Sequence, residues 1–229
     1  MELPTSPHTA IVTGATGCGK TYFIMDLLAN GYYKDFYDAV VVLCPTFHNN
    51  DTYQKHIDLF TRFPTDNEET HFYFFDFPKH GLYSFDPKHY GKKEISLPEA
   101  LKFYSDIFNK DCDKSNVLFI VDDFAGDVEL SRKKTYLTTM AISGRHCNQS
   151  MWVLTQKYNM LCKDVRSQAK WVCSFYTQDR KSFEEMLDQH NIGMSKDIKE
   201  KVKIHCLKGG SIILNCCIGN LSYALLDNW

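Results

Sequence analysis

The chain has 229 residues, of which 44% are hydrophobic and 24% are charged. That length and apolar content exclude a peptide too short to bury a core, and they suit one α/β domain over residues 1–229. The formal net charge of −2 excludes a general basic surface. Any contact with nucleic acid must therefore come from local patches, or from several subunits combined around a ring.

The cysteines and the first residues of the chain indicate its compartment. The nine cysteines are an odd number without paired CxxC spacing, which favours reduced thiols over disulfides or zinc ligands. No apolar run reaches the length of a membrane span, and residues 1–8 have neither the basic start nor the apolar stretch of a signal peptide. We therefore expect an intracellular protein without a membrane span.

A glycine-rich stretch carries the first chemical signal. Residues 14–21 read GATGCGKT, which fits the phosphate-loop (Walker A) pattern, with a β-rich run at Thr9–Thr13 before it and a helix-like run at 21–30 after it. The glycines let successive N–H groups face phosphate oxygens, Lys20 would reach the β and γ phosphates, and the Thr21 hydroxyl would ligate Mg²⁺. The flanking strand and helix disfavour the alternative of a glycine-rich turn with a solvated lysine. The predicted nucleotide-binding residues are Gly14, Ala15, Thr16, Gly17, Cys18, Gly19, Lys20 and Thr21.

A second strand, an insertion and a helix follow. Residues 39–44 (AVVVLC) form a continuous apolar run that ends at Pro45, which is typical of a strand buried in a parallel sheet. Prolines and glycines break the pattern from about 60 to 98, where we predict an irregular insertion with one short strand at 71–75. Its lysines, interleaved with aromatic side chains, could contact a nucleic-acid strand, but we favour a surface flap whose aromatic rings pack on the domain. Residues 98–109 predict a packing helix.

Two aspartates end the next buried strand. Residues 116–123 read NVLFIVDD, which is the form of a Walker B strand. Asp122 would hold Mg²⁺ through water, and Asp123 would polarise the water that attacks the γ-phosphate. Many proteins with this motif have glutamate at the second place, so the shorter Asp123 leaves its reach and the turnover rate open. The alternative without a catalytic role is a pair of helix-capping aspartates after a core strand.

Two further polar residues are candidates for the same chemistry. A helical segment at 127–144 leads into a turn, and the apolar strand that follows at 151–155 ends at Gln156. A polar residue in that place can contact both the attacking water and the γ-phosphate. Arg145 lies in the turn before the strand, so it is a candidate arginine finger that crosses a subunit boundary to stabilise charge in the neighbour's site.

The last third of the chain offers packing elements and basic residues. We predict a strand at 171–176 preceded by Arg166, a helix at 180–190, and a hairpin of residues 203–207 and 211–216 turned by Gly209 and Gly210. The four lysines between 196 and 203 are read as a solvated face in preference to a nucleic-acid patch. The nine histidines show no HxxxH or HExxH spacing, so a zinc site has no support.

The order of these motifs resembles the FtsK/HerA superfamily of ring-forming DNA-pumping ATPases. Within it, the chain is most similar to the genome-packaging ATPases of poxviruses, Polinton-type elements, virophages and adintoviruses. The text SGRHCNQSMWVLTQ and the VR before the final strand carry most of the likeness, which extends from about residue 11 to 177.

This resemblance implies a fold, a set of roles and partners. The fold would be a three-layer α/β P-loop NTPase of the additional-strand (ASCE) type, with the strand at 151–155 between the phosphate-loop and Walker B strands, and with a C-terminal β-hairpin. The implied cofactors are ATP and Mg²⁺, and the implied partners are double-stranded DNA, other copies in a homo-oligomeric ring, and capsid or portal-vertex proteins. The implied roles are phosphate and Mg²⁺ binding by Lys20, Thr21 and Asp122, and catalysis by Asp123, Gln156, Arg145 and Lys20. Arg166 is a second candidate for the arginine finger.

Three other functions compete with this one. A signalling GTPase would need a guanine-reading NKxD motif, which is not found after the Walker B strand. A small-molecule kinase would carry a basic lid, for which the lysine-bearing insertion could be mistaken. An ATP-binding capsid-vertex or scaffold protein with little hydrolysis remains open because position 123 is aspartate.

Overall fold

The computed structural model describes residues 2–34, 36–56, 71–74, 82–85, 92–110, 115–124, 128–175, 177, 179–190, 194–217 and 222–227. Its strands are β1 Thr9–Thr13, β2 Ala39–Leu43, β3 His71–Phe74, β4 Leu82–Phe85, β5 Lys92–Ile95, β6 Val117–Val121, β7 Gln149–Thr155, β8 Ala169–Ser174, β9 Ser211–Asn215 and β10 Ser222–Leu226. Its helices are α1 Lys20–Ala29, α2 Asp51–Lys55, α3 Leu97–Lys110, α4 Val128–Ser131, α5 Tyr136–Ser143, α6 Lys163–Gln168, α7 Arg180–Gln189 and α8 Lys196–Leu207. None of the helices in these ranges is long and apolar enough to cross a membrane.

One mixed sheet organises the fold, with strand order β10-β9-β8-β1-β7-β6-β2-β3. The six strands from β8 to β3 in this order are parallel, while β9 runs antiparallel to both β8 and β10. Strand β7 lies between the phosphate-loop strand β1 and the Walker B strand β6, with Leu154 opposite Val12 and Met151 opposite Phe119. The mostly parallel sheet and the position of its additional strand are therefore as predicted.

Helices cover both faces of this sheet, because its central strands are apolar on both sides. Alternate residues of each strand enter two separate cores, as Ile11 and Val12 of β1 do. The core that contains Val12 is closed by α1 and by Tyr53 of α2. The core that contains Ile11 is closed by α3, α5, α6, α7 and α8. This arrangement confirms the predicted three layers, and it leaves the two ends of the strands free for polar residues.

The predicted C-terminal hairpin exists, and its second predicted arm at 211–216 corresponds to β9, but its first predicted arm is wrong. Residues 203–207, predicted as its first arm, are the end of α8, in which Val202 and Cys206 are buried four positions apart on one face. Gly209 has a φ of 94°, and its N–H donates to the carbonyl of Cys206. The glycine pair therefore ends a helix instead of turning a hairpin. The antiparallel pair is β9 with β10.

Two other segments differ from their prediction. The helix predicted at 127–144 is two helices, α4 and α5, separated by a stretch in which Lys134 has a φ of 60° and the Thr135 side chain caps α5. In the insertion, β3 confirms the strand predicted at 71–75, but β4 and β5 are two further strands that were not predicted. Lys79 and Lys88, two of the lysines behind the alternative of a nucleic-acid contact, lie outside the described residues. The favoured surface flap therefore stays a prediction, and the nucleic-acid contact stays its alternative.

Candidate nucleotide-binding site

The predicted nucleotide-binding and acidic residues come together at one edge of the sheet. Strands β1, β2, β6 and β7 are parallel, so the residues that follow them lie at the same carboxyl edge. The phosphate loop is tied to this edge by the N–H of Gly14, which donates to the carbonyl of Thr155 at 3.2 Å. The edge encloses a cavity of about 120 Å³, and the predicted residues that line it are Thr16, Gly17, Lys20, Thr21, Asp122, Asp123 and Gln156.

The backbone of the phosphate loop needs glycine at two places. Gly17 and Gly19 have φ values of 75° and 97°, a region that residues with a Cβ atom rarely adopt. Gly19 immediately precedes α1, so the loop runs directly into a helix N-terminus. The N–H groups at that end of the helix, and its partial positive charge, are suited to an anion.

Lys20 folds back over the loop that precedes it. Its Nζ donates to the carbonyl oxygens of Gly14 and Ala15, both at 2.9 Å. These bonds hold the ammonium group at the rim of the cavity. Cys18 is half-buried in the same loop, and burial raises the pKa of its thiol, so it stays protonated at neutral pH.

Asp122 is the buried carboxylate of the site. It follows β6 directly and is only 5% exposed. Its Oδ2 atom accepts hydrogen bonds from the Thr21 hydroxyl at 3.1 Å and from the Tyr53 hydroxyl at 2.9 Å. Burial raises the pKa of Asp122 to about 6, and the hydrogen bonds from Tyr53 and Thr21 oppose that rise. The carboxylate is therefore mostly ionised at neutral pH.

Asp123 is arranged differently from its neighbour. Its side chain is exposed, its φ is 61°, and its Oδ2 atom accepts a hydrogen bond of 2.8 Å from the Thr46 hydroxyl. Aspartate is one of the few residues other than glycine that adopt this left-handed conformation readily. The two adjacent carboxylates both line the cavity but have separate environments, since Asp122 is buried and Asp123 is exposed.

The two arginine candidates lie at the other edge of the sheet. Arg145 is in the turn Gly144–Cys147, before the first residue of β7, whereas Gln156 follows the last residue of that strand. A seven-residue strand spans about 23 Å, so the exposed Arg145 side chain cannot reach the cavity of its own chain.

The Arg166 side chain is bound by other residues of its own chain. Only 9% of it is exposed, its Nη1 donates to Glu185 Oε1 at 2.5 Å, and its guanidinium lies 5.1 Å from the centre of the Tyr158 ring. These contacts favour a structural role, so of the two arginines Arg145 is the one that is accessible to a second subunit.

Three residues of the site were not predicted from the sequence. Thr46, Asn50 and Tyr53 all follow β2: two donate to the aspartates and Asn50 lines the cavity. A usable signal was present, because polar residues that follow a buried parallel strand lie at the same edge as Asp122 and Asp123. The Asn50 side chain also accepts hydrogen bonds from the N–H groups of Thr52 and Tyr53, which marks the start of α2.

Solved structures with the same fold cover nearly the whole chain. The genome packaging NTPase B204 from Sulfolobus turreted icosahedral virus 2, in complex with ATP-gammaS, has a TM-score of 0.61 and 14% identity over 99% of both chains. The DNA-packaging ATPase B204 from Sulfolobus turreted icosahedral virus has a TM-score of 0.57 and 13% identity over 99% of this chain and 100% of that chain. EssC (ATPases 2 and 3) from Geobacillus thermodenitrificans has a TM-score of 0.55 and 12% identity, and the match covers 99% of this chain and 40% of that chain. These likenesses establish the P-loop NTPase fold.

Comparison of the sequence itself gives the family. No curated protein matches the chain. A family model described as "Poxvirus A32 protein" matches residues 1–212. That match covers the phosphate loop, both aspartates, Gln156 and both arginine candidates. The chain therefore belongs to the poxvirus A32 protein family.

Proposed function

We propose that this protein is an ATP-hydrolysing motor that translocates double-stranded DNA, packages a viral genome into a capsid and acts as a homo-oligomeric ring. The observation that carries the proposal is the single cavity at which a phosphate loop, two acidic residues and Gln156 meet. Membership of the poxvirus A32 family supports it. So does the shared fold with B204, which is described as a genome packaging NTPase.

ATP would bind with its phosphates in the loop. Backbone N–H groups around Gly17 and Gly19 would face the phosphate oxygens, since the left-handed glycines turn them inward. The Lys20 ammonium would exchange its two carbonyl partners for the β and γ phosphates, which are stronger acceptors because they are charged. The free chain thus keeps its cation satisfied while no phosphate is bound.

The residues present fit a magnesium ion. Mg²⁺ prefers hard oxygen ligands, and the Thr21 hydroxyl and the Asp122 carboxylate are held within a hydrogen bond of each other at the edge of the cavity. In the proposed complex, Thr21 would bind the ion directly and Asp122 would hold it through water. When bound, the ion neutralises charge on the β and γ phosphates.

Asp123 and Gln156 would act on the water molecule. Asp123 accepts its proton as the oxygen attacks the γ phosphorus, the bond from that phosphorus to the β–γ bridging oxygen breaks, and ADP leaves with the electron pair. Gln156 lines the same cavity, where its amide can bond both the water and a γ-phosphate oxygen. The Asp123 side chain is open to the cavity, as a base that receives a proton from water must be.

Arg145 would complete the site of a neighbouring subunit. Its position at the amino edge of β7 leaves it no role in its own cavity, but it suits contact with the cavity of an adjacent copy in a ring. The guanidinium would stabilise the charge that develops during transfer, a contribution of about 10³-fold or more in rate. The ring would surround duplex DNA inside the infected host cell and bind capsid or portal-vertex proteins.

ATP turnover with and without linear duplex DNA tests this proposal. We expect duplex DNA to stimulate hydrolysis by the wild type, and we expect the matched Lys20→Ala variant to show none. Binding of ATP without turnover would instead favour a scaffold protein. Stimulation by a small phosphoryl acceptor, with no effect of DNA, would favour a kinase.

A further inference from the structure

We infer that Thr46 is a positioning residue that fixes the orientation of the Asp123 carboxylate for attack by water. The inference rests on the proposed function, because it assigns Asp123 the role of base. It concerns the segment of residues 44–56 that follows β2, whose hydroxyl groups reach both aspartates. Thr46 donates to Asp123 at 2.8 Å, and Tyr53 donates to Asp122 at 2.9 Å.

Asp123 needs such a contact more than Asp122 does. Asp122 is buried and its Oδ2 atom accepts two hydrogen bonds, so its side chain is fixed by packing. The Asp123 side chain is exposed, and among the described residues the hydrogen bond that its carboxylate accepts comes from Thr46. Without this bond, both side-chain torsions of Asp123 would be free to rotate in solvent.

Thr46 is itself held in a defined place. Its carbonyl accepts a hydrogen bond of 2.9 Å from the N–H of Asn49 in the short turn Phe47–Asn49. Its hydroxyl is 3.4 Å from Cys44 Sγ as well as 2.8 Å from the Asp123 carboxylate. The carboxylate can only accept, so the Thr46 hydrogen points at Asp123 and the Cys44 thiol must donate to Thr46. Burial raises the pKa of that thiol, so it keeps the hydrogen that it donates.

The hydrogen bond from Thr46 is accepted by Oδ2 of Asp123, which leaves Oδ1 to accept a proton. A base that is fixed at one oxygen presents the other in a narrow range of directions, which lowers the entropy that hydrolysis must lose. The effect matters more for aspartate than for the longer glutamate, since aspartate has less reach to correct a poor orientation. The Thr46 contact thus accounts for how an aspartate serves at this position.

Single-turnover and steady-state ATP hydrolysis by Thr46→Val tests the inference. Valine has nearly the shape of threonine without the hydroxyl, so we expect kcat to fall about tenfold while KM and the urea midpoint stay unchanged. Thr46→Ser keeps the hydroxyl and should keep most of the rate. Thr52→Val is the matched control, because it makes the same change in the same segment, where no described hydrogen bond uses the Thr52 hydroxyl.

A double-mutant cycle separates positioning from general damage. In an Asp123→Asn background, Thr46→Val should cause no further loss, since the base it orients is gone. An equal loss in both backgrounds, or an unchanged or faster rate for Thr46→Val, overturns the inference and leaves the proposed function standing. A wild-type protein that does not hydrolyse ATP overturns both.

Discussion

Thr21 and Asp122 are 101 residues apart in the chain, and the hydroxyl of the first donates a hydrogen bond of 3.1 Å to the carboxylate of the second. The contact joins the phosphate-loop helix to the Walker B strand across the carboxyl edge of the sheet. The second donor to the same oxygen is Tyr53, a fully buried residue of α2. The free protein therefore holds a buried charged carboxylate, which costs stability unless a cation is bound.

Asp122→Asn should make the magnesium-free protein more stable at pH 7. Burial raises the pKa of Asp122 from 3.8 to about 6, so the folded state binds its proton more tightly than the unfolded chain does. Stability is then lost as pH rises from about 3.8 to 6, by roughly 3 kcal/mol in total. The new amide N–H group needs a hydrogen-bond partner, so the substitution should recover only part of this loss. We expect Asp122→Asn to gain about 1 to 2 kcal/mol in unfolding free energy.

Urea unfolding without nucleotide or magnesium measures this gain. The difference between Asp122→Asn and the wild type should shrink at pH 4.5, where the folded wild type keeps Asp122 mostly protonated. A variant that is less stable than the wild type at pH 7 would contradict the account of a buried charge that awaits a cation.

Arg145→Ala should remove hydrolysis without affecting the fold, because the side chain is exposed. The trans assignment is tested by mixing Arg145→Ala subunits with Asp123→Asn subunits in equal amounts. In a randomly mixed ring, about one quarter of the sites pair an intact Asp123 with an intact neighbouring Arg145, so roughly a quarter of wild-type activity should return.

Arg132→Ala is the matched control for the mixing measurement, since Arg132 is also exposed but lies outside the proposed machinery. It should hydrolyse ATP at the wild-type rate when assayed alone. If the mutant pair assembles and regains no activity, Arg145 does not act across a subunit boundary.

Arg166→Met should give the opposite pattern, a loss of stability that no partner subunit repairs. The guanidinium bonds Glu185 and lies over the Tyr158 ring, and Glu185 is 39% exposed, so solvent already weakens the ion pair. We expect a loss of about 1 to 2 kcal/mol in unfolding free energy. Glu185→Gln should lose a similar amount, and recovery of Arg166→Met activity by Asp123→Asn subunits would argue for a trans finger instead.

His8 makes the fold sensitive to acid. Its Nε2 accepts hydrogen bonds from the indole N–H groups of Trp152 and Trp171, and its Nδ1 donates to the carbonyl of Ser6. In the neutral imidazole, both ring nitrogens therefore make hydrogen bonds. Burial lowers the pKa of His8 from 6.5 to about 4, so the unfolded chain takes up its proton first as pH falls.

Stability should therefore be lost between pH 6.5 and 4. From pH 8 to 4.5, His8 should account for about 2 to 3 kcal/mol of this loss. His8→Gln, less stable at every pH, should show a pH slope smaller by one proton in urea titrations. If the unfolding free energies of the two proteins change in parallel with pH, His8 does not take up a proton on unfolding.

Site residues could be predicted from the sequence where a recognisable motif directly follows an apolar strand. The run GATGCGKT and the pair Asp122–Asp123 each follow an apolar strand, and parallel strands bring such ends to one edge. Thr46 and Tyr53 follow β2 by the same rule, but hydroxyl groups in a loop carry no spacing pattern. Their partners become visible only when the chain between β2 and β6 is folded.

Secondary-structure predictions were wrong where one sequence feature is compatible with two structures. The pair Gly209 and Gly210 predicts a hairpin turn, but a glycine with positive φ also ends helices. The buried Val202 and Cys206 show that a helix comes before this pair. The break between α4 and α5 depends on Lys134 in a left-handed conformation, which lysine rarely adopts and propensity does not anticipate.

Displacement of a third strand from a DNA triplex by the purified protein tests the central claim most directly. A motor that moves along duplex DNA strips the third strand as it passes, and this requires hydrolysis. We predict displacement with ATP and magnesium by the wild type, and none by Lys20→Ala or with a non-hydrolysable ATP analogue. ATP hydrolysis that is stimulated by the duplex but leaves the third strand in place would contradict the account.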